Sequence, residues 1–368
     1  MRIALLISGL GPGGAERVIS LLAGALVDRG HDVWLITLAA SGSDFYVVDS
    51  RVRRLGLGLQ ADSEGIVEAL LANAKRLRAL RRAVSTIEPQ VVLSFVTRMN
   101  VLAILACTGL PTRVLVSERV DPASHREQRL WAWLRALVYQ RADAVVVQTE
   151  SVARWFRKRL WQPAAVYVIP NPVVAAGKSA QAPLQVAKPF MLAAGRLDHQ
   201  KGFDVLIRAF ALAMPDCGQL RLVIVGEGPT AQALRDLVAE LHVDARVLFP
   251  GQVKELQALM QQAQGFILSS RYEGFPNVLL EALANGLPVV ATDCPSSPRE
   301  ILRDGEYGLL VPCEDPVALA AAVRRLATDA DLRSRLSALA PLAIAPYALS
   351  RVVGEWEALF QRQQAAGG

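Results

Sequence analysis

At 368 residues the chain is too long for one ordinary domain and suits two of about 180 residues each. Its 52% hydrophobic and 20% charged content excludes a disordered chain, and no apolar run approaches the ~18 residues of a membrane span. The net charge of +6 is unevenly placed, with 23 Lys and Arg against 14 Asp and Glu in residues 1–180 and 17 against 20 in the remainder, so the first half is the one expected to meet an anionic partner.

Arg2–Ile7 reads as a first buried strand. Its apolar start lacks the length and flanks of a signal peptide, which predicts a cytoplasmic protein. The strand runs into Gly9-Leu10-Gly11-Pro12-Gly13-Gly14, a helix to about Arg29 closed by Gly30, and a second strand over His31–Leu38. That alternation predicts a parallel α/β sheet. Gly9, Gly11 and Gly14 formally match the dinucleotide fingerprint, which wants an acidic residue closing the second strand. Thr37-Leu38-Ala39-Ala40 stands there instead, and Pro12 removes one loop amide, so NAD binding is disfavoured.

Residues 65–82 form an amphipathic helix with Lys75, Arg76, Arg78, Arg81 and Arg82 crowded at its end, complementing the helix dipole. Gln90–Phe95 is a further strand, with Arg98 and Asn100 beyond its carboxyl end. Ligands of open parallel sheets bind outside those ends, which makes both residues cleft candidates. Arg113–Val116 is the next strand and ends in Ser117-Glu118-Arg119. Two stretches then combine tryptophan with arginine, His125–Leu137 and Arg154–Trp161. Each alone describes a core helix with a basic outer face; together, in the basic half, they suit a headgroup layer. Strands at Asp143–Gln148 and Ala165–Pro172 close the first domain, and 173–188 is a linker. Nucleic acid would also satisfy a basic half, but no recognition module is visible. Cys107, Cys217, Cys294 and Cys313 are scattered without C-x-x-C spacing, which predicts buried, reduced thiols.

Pro189–Ala194 opens a second sheet and leads into Gly195-Arg196-Leu197-Asp198-His199-Gln200-Lys201-Gly202. Arg and Lys five apart on a glycine-bounded strand-to-helix turn suit a diphosphate, the Arg as a planar fork and the Lys as a point charge. Two solvated surface charges are the alternative, and His199 reads as a surface turn residue. Strands follow at Leu220–Val225, Val247–Gly251, Gly265–Ser269, Pro288–Thr292 and Gly308–Val311. The most specified stretch begins at Ser269. It passes through Glu273-Gly274-Phe275-Pro276-Asn277 into a Leu- and Ala-rich helix over Asn277–Asn285, with Pro276 at or near its first position. Free backbone N–H groups and a positive dipole end then lie beside one cleft, with Glu273 ahead of the helix and Glu281 eight residues later. That spacing alone equally describes two solvated glutamates; the Gly-Phe-Pro-Asn turn between them sets the stretch apart. Carboxylates flanking a helix N-terminus suit a ligand that is both phosphate and polyol, such as a nucleotide sugar.

Glu273 to Glu281, with Gly-Phe-Pro-Asn between them, resembles the signature of the family 4 retaining glycosyltransferases. The resemblance covers most of the chain and implies an α/β protein of the GT-B fold: two facing Rossmann-like domains with parallel sheets and an interdomain cleft. Residues 1–172 would take the acceptor, 189–348 the nucleotide sugar, and 349–368 would form a helix crossing back to the first domain. It implies that Glu281 holds the donor ribose, that Glu273 lies near the donor sugar, and that Gly274, Phe275, Pro276 and Asn277 meet the sugar and diphosphate. Arg196 and Lys201 would hold the diphosphate, Gln252 and Val253 would lie by the base, and Gly13 and Gly14 would approach the donor. Many members place a histidine where Ser117-Glu118 stands here. The sequence resembles instead a Ser-Glu-Arg branch that often builds surface polysaccharides and lipid-linked glycans. Glu118 is then a candidate for the acceptor hydroxyl, or else a partner of Arg119 or Arg98.

The implied reaction is retaining transfer of a hexosyl or N-acetylhexosaminyl group from a nucleotide sugar, uridine preferred, to a hydroxyl of a polyprenyl-diphosphate-linked glycan at the inner membrane face. It implies no cofactor and no metal, and the one D-x-D, Asp329-Ala330-Asp331, follows a helix and not a strand. Alternatives are a soluble acceptor, a nucleotide-sugar epimerase on the same fold, and a non-catalytic membrane scaffold. Four histidines, none in a cleft motif, speak against the epimerase.

Overall fold

The computed structural model describes residues 1–368 apart from 61–64, 121, 123–127, 162–164, 175–176, 178–184, 254, 296 and 363–368. The chain divides into two compact units, Met1–Pro172 with the segment from Leu349, and Val173–Ala348.

The first unit alternates β1 (Arg2–Ile7), α1 (Gly14–Asp28), β2 (Asp32–Thr37), β3 (Arg53–Gly56), α2 (Ile66–Ile87), β4 (Val91–Phe95), α3 (Thr97–Cys107), β5 (Arg113–Ser117), α4 (Arg129–Val138), β6 (Ala144–Val147), α5 (Glu150–Arg157) and β7 (Val166–Val168). The strands form one sheet in the order β3-β2-β1-β4-β5-β6-β7, and all neighbours are parallel. Helices cover both faces, so the strands inside the edge strand β3 are largely apolar rather than alternating. Ala4 and Leu6 pack with Leu80, Val84 and Ile87 of α2. Ile3, Leu5 and Ile7, pointing the other way, pack with Val18 and Leu22 of α1 and with Val352 and Trp356. The last two belong to the final helix, Leu349–Arg362, which Glu357 ties to Arg29 at 2.8 Å and His31 at 3.0 Å.

The second unit contains β8 (Phe190–Ala194), α6 (Phe203–Ala213), β9 (Arg221–Val225), α7 (Ala231–Glu240), β10 (Val247–Gly251), α8 (Leu256–Met260), β11 (Gly265–Leu268), α9 (Asn277–Ala284), β12 (Val289–Thr292), α10 (Pro298–Ile301), β13 (Leu309–Val311), α11 (Pro316–Thr328) and α12 (Ala330–Ile344). Its sheet runs β10-β9-β8-β11-β12-β13, again all parallel. The final helix, following α12, is α13.

Three elements differ from the sequence-based expectation. The basic helix runs to Ile87 instead of 82, because Leu80, Val84 and Ile87 continue its buried stripe and Glu88 supplies a left-handed cap. β3, a four-residue edge strand beginning Arg53-Arg54, lacks the apolar pattern that marks its neighbours. α12 is capped by Asp329, whose carboxylate accepts from Leu332 N at 2.8 Å, so the D-x-D is used as a helix start. Residues 125–127 of the first tryptophan stretch lie outside the described residues; Gln128 is the N-cap of α4 and Arg129–Leu137 lie within it.

Parallel sheets of this kind have one point where strand order reverses, and a crevice opens there at the carboxyl ends. In the second unit that point lies between β8 and β11, and in the first between β1 and β4.

Candidate functional site

The loops leaving β8 and β11 are the Arg196–Lys201 turn and the Glu273 turn, so topology brings together two stretches about seventy residues apart. Side chains then lace them. Lys201 Nζ lies 2.6 Å from Glu273 Oε1, and Ser270 Oγ donates to the same oxygen at 2.5 Å. Ser269 Oγ donates to Lys201 O at 2.8 Å, Arg271 N to Gln200 O at 2.8 Å, and Gln200 Nε2 to Tyr272 O at 3.1 Å. Glycines allow this closeness: a Cβ on Gly202, at φ 60°, would stand 2.2 Å from Ser269 O, and one on Gly226 would stand 1.9 Å from Gly195 O. The Lys201 stem lies against Gly195.

The electrostatics are graded. Glu273 is 4% exposed, so its pairing with Lys201 is shielded from water, which strengthens it. Arg196 is open, its side chain 73% exposed and 3.7 Å from Asp198. His199 is exposed, as its turn position predicts. Arg271 is held by protein partners. It forks onto Asp204 at 2.9 and 2.8 Å, reaches Glu314 at 2.9 Å and donates to His199 O. Hydrogen bonding to Arg271 holds the Asp204 carboxyl below its usual range. Sequence reading missed Arg271 as the clamp of these two loops, because its partner Asp204 lies 67 positions away.

Pro276 is the N-cap of α9, one position earlier than a first helical residue, and no side chain caps this end. The positive dipole end of α9 thus lies immediately after Glu273. Glu273 itself is outside the helix. Glu281 is on the second turn and 7% exposed. Gly274 and Asn277 are half-buried, and Phe275 packs edge-on against Tyr347, centroids 5.8 Å apart. Gln252 is exposed and Val253 half-buried just after β10, two strands from β8, about 10 Å away at ordinary strand spacing. These residues can hold an extended anionic ligand across the carboxyl ends of β8, β9 and β10.

In the first unit, Gly13 caps α1 and Gly14 begins it. Arg98 and Asn100 lie on the first turn of α3. Arg98 is exposed and sits over the Trp131 ring at 5.7 Å. Asn100 is completely buried and is corrected from a cleft residue to a core one, its amide donating to Ser117 O at 3.0 Å and to the Tyr139 hydroxyl at 2.9 Å. Glu118 is 1% exposed. Its carboxylate accepts from Thr97 Oγ1 at 3.0 Å and from the Tyr139 hydroxyl. Burial, with Glu118 nearby, pushes the Tyr139 hydroxyl well above its usual range. Arg119 lies over Phe95 at 3.8 Å and donates to Asn171, and burial pushes its guanidinium down to about 9. All four cysteines are free; burial pushes the Cys107 thiol up to about 12.

Two family models match, "Glycosyl transferase 4-like domain" over residues 13–172 and "Glycosyl transferases group 1" over 177–341. The chain is 28% identical over 357 residues to the Campylobacter jejuni GalNAc-alpha-(1->4)-GalNAc-alpha-(1->3)-diNAcBac-PP-undecaprenol alpha-1,4-N-acetyl-D-galactosaminyltransferase, covering 97% of each chain. It is 36% identical over 157 residues to another C. jejuni protein, the N-acetylgalactosamine-N,N'-diacetylbacillosaminyl-diphospho-undecaprenol 4-alpha-N-acetylgalactosaminyltransferase, covering 43% of this chain and 42% of that one. Among solved structures, sucrose-phosphate synthase from Thermosynechococcus elongatus superposes with a TM-score of 0.85 at 21% identity over the whole of both chains. Anabaena HepE, solved with UDP and glucose, gives 0.83 at 18% identity over 98% of this chain and 99% of that one.

Proposed function

This chain belongs to the family 4 glycosyltransferases, of the GT-B fold, and we propose that it moves an N-acetylhexosaminyl or hexosyl group from a UDP-sugar to a hydroxyl of a polyprenyl-diphosphate-linked glycan. The observation that carries the donor half is the joining of the Arg196–Lys201 and Glu273–Glu281 stretches at the β8/β11 reversal by the 2.6 Å Lys201–Glu273 pair. The names of the two Campylobacter relatives support the N-acetylhexosamine and the lipid-linked acceptor.

Leaving-group departure concentrates negative charge on the β-phosphate. Lys201, held by Glu273 so that its ammonium cannot wander, and the exposed Arg196 fork supply the compensating charge, with the amides at the α9 terminus beside them. Glu281 takes the ribose hydroxyls, and Gln252 and Val253 border the base. The first unit holds the acceptor glycan, whose hydroxyl is the attacking group. The reaction proceeds with retention, the departing phosphate taking the acceptor proton, and without a metal ion.

The test is transfer from a panel of UDP-sugars to polyprenyl-diphosphate saccharides, with the product anomer read by NMR and UDP binding by calorimetry. One donor should give an acceptor-dependent product of retained configuration. Glu281→Ala should weaken UDP about tenfold or more through lost buried hydrogen bonds. An isomerised sugar without acceptor, or unchanged UDP affinity in the variant, would count decisively against the assignment.

A membrane acceptor asks for a membrane-facing surface, and α4 offers one. Leu130, Trp133 and Leu137 share a stripe and are 61%, 60% and 50% exposed, while Arg135 on the other side is buried against Trp155. Trp161 is 82% exposed, with Arg129, Arg154, Lys158 and Arg159 exposed in the same segments. Among the described residues no helix is long and apolar enough to cross a membrane, so contact would be interfacial, at the inner membrane face. Vesicles containing anionic phosphatidylglycerol should sediment the wild type, and Trp133→Glu with Leu137→Glu should lower the partition roughly tenfold. Equal sedimentation of both proteins would remove α4 from this role.

A further inference from the structure

Two cysteines stand beside the donor loops with no part in the transfer chemistry. Thr292 of β12 pairs with Val311 of β13, and Asp293 N carries the ladder one step further by donating to Val311 O at 2.7 Å. Cys294 and Cys313, each two residues beyond that pair, therefore leave their strands side by side. Neighbouring strands run about 5 Å apart, within the ~4.4–6.8 Å between Cα atoms that a disulfide spans. Both side chains approach the Ser270–Glu273 turn. Cys313 Sγ lies 3.7 Å from Ser270 O and 3.9 Å from Arg271 O, while Cys294 is close enough to Glu273, Cys313 and Lys201 for their charges to act on its thiol.

Cys294 is buried and Cys313 half-buried. Burial first, then Glu273 and Cys313, raises the Cys294 thiol well above its usual range, and burial raises that of Cys313. The thiolate is the attacking species, so neither reacts quickly with an outside reagent at neutral pH. What the pair offers is one accessible sulfur with a second already at its side. The turn that carries Cys313 also matters to the donor loops. Glu314, its neighbour, takes the Arg271 guanidinium at 2.9 Å, and Arg271 forks onto Asp204 to clamp the β8 and β11 loops. An S–S bond is only about 2 Å long, so closing it draws Cys313 off Ser270 O and carries Glu314 with it.

We propose that Cys294 and Cys313 are a redox-sensitive modification site, a reversible disulfide whose closure loosens the Arg271 clamp and weakens UDP binding. The consequence for UDP rests on the donor reading given above; the pairing rests on the strand register and the shared turn. With a small disulfide such as oxidised glutathione the step balances. The Cys313 thiolate attacks one glutathione sulfur and expels a glutathione thiolate; the Cys294 thiolate then attacks the Cys313 sulfur and expels the second. Two cysteine thiols are oxidised to one S–S bond, and the glutathione disulfide is reduced to two thiols, which take up the protons. Two cysteines serving only as small buried hydrophobes would fill the same places, and the experiment separates the two.

The full chain is equilibrated at mildly alkaline pH with graded ratios of reduced to oxidised glutathione, with and without saturating UDP. Free thiols are counted, and linked peptides are mapped by mass spectrometry. The wild type should fall from four free thiols to two, with Cys294 joined to Cys313. Its UDP affinity by calorimetry should fall about fivefold or more, and dithiothreitol should restore it. Coupling is reciprocal, so saturating UDP should make the disulfide harder to form by the same factor. Cys294→Ala and Cys313→Ala should each bind UDP as the reduced wild type does and keep that affinity on oxidation; Cys313→Ala, at the less buried position, carries the comparison if the other fails to fold. No Cys294–Cys313 link at any ratio, or a linked protein that binds UDP as tightly as the reduced one, would overturn the proposal. A link formed in a chain that binds no UDP even when reduced would sink the donor assignment and leave the pairing standing.

Discussion

Lys201→Ala is expected to lower kcat/KM for transfer by roughly 30- to 1,000-fold, about 2–4 kcal/mol of lost stabilisation of the departing diphosphate. The Lys201 side chain is 17% exposed and its partner Glu273 5%, so little water is at hand to replace the ammonium. Removing it also leaves a buried carboxylate without its cation, which is costly in its own right. Two effects therefore fall on one variant, and the double variant Lys201→Ala with Glu273→Gln separates them. Neutralising the orphaned carboxylate should recover much of the lost melting temperature and none of the lost turnover. The pair is coupled directly, so the two substitutions should not add in stability. Near wild-type turnover in Lys201→Ala would remove the lysine from the diphosphate site.

Gly202→Ala should destabilise the second unit by about 2–4 kcal/mol and lower its melting temperature by roughly 5–15 °C. The added methyl would sit 2.2 Å from Ser269 O at a backbone φ of 60°, so the β8 and β11 loops must separate to admit it. UDP affinity should fall with stability, since the same displacement pulls Lys201 from Glu273. Gly218→Ala is the control: φ is 55° there, yet nothing lies within 4 Å of the new Cβ. It should cost only the left-handed strain of about 1 kcal/mol. If calorimetric scans gave the two variants equal melting temperatures, crowding between the loops would not be what fixes Gly202.

These two residues show how far the sequence carries. Lys201 is legible beside Arg196 on a glycine-bounded turn, and Glu273 is legible ahead of Pro276, but nothing local to either names the other as partner. The pairing follows from β8 and β11 lying side by side. Arg271 and Asp204 stayed hidden for the same reason. Asn100 misled because the carboxyl end of a strand is an ordinary ligand position, while its neighbour Tyr139 fills that space from 39 positions away.

Local chemistry wrote the apolar strands, the glycine and proline turns and the Glu-flanked helix start of this protein, because dihedral preference and hydrophobic period act over a few residues. Which cation meets which carboxylate, which tryptophan is left in water on α4, and that Cys294 comes to lie beside Cys313 were decided by the folded chain. Those outcomes depend on packing between segments far apart in sequence, and burial fixes the strength of every charge among them.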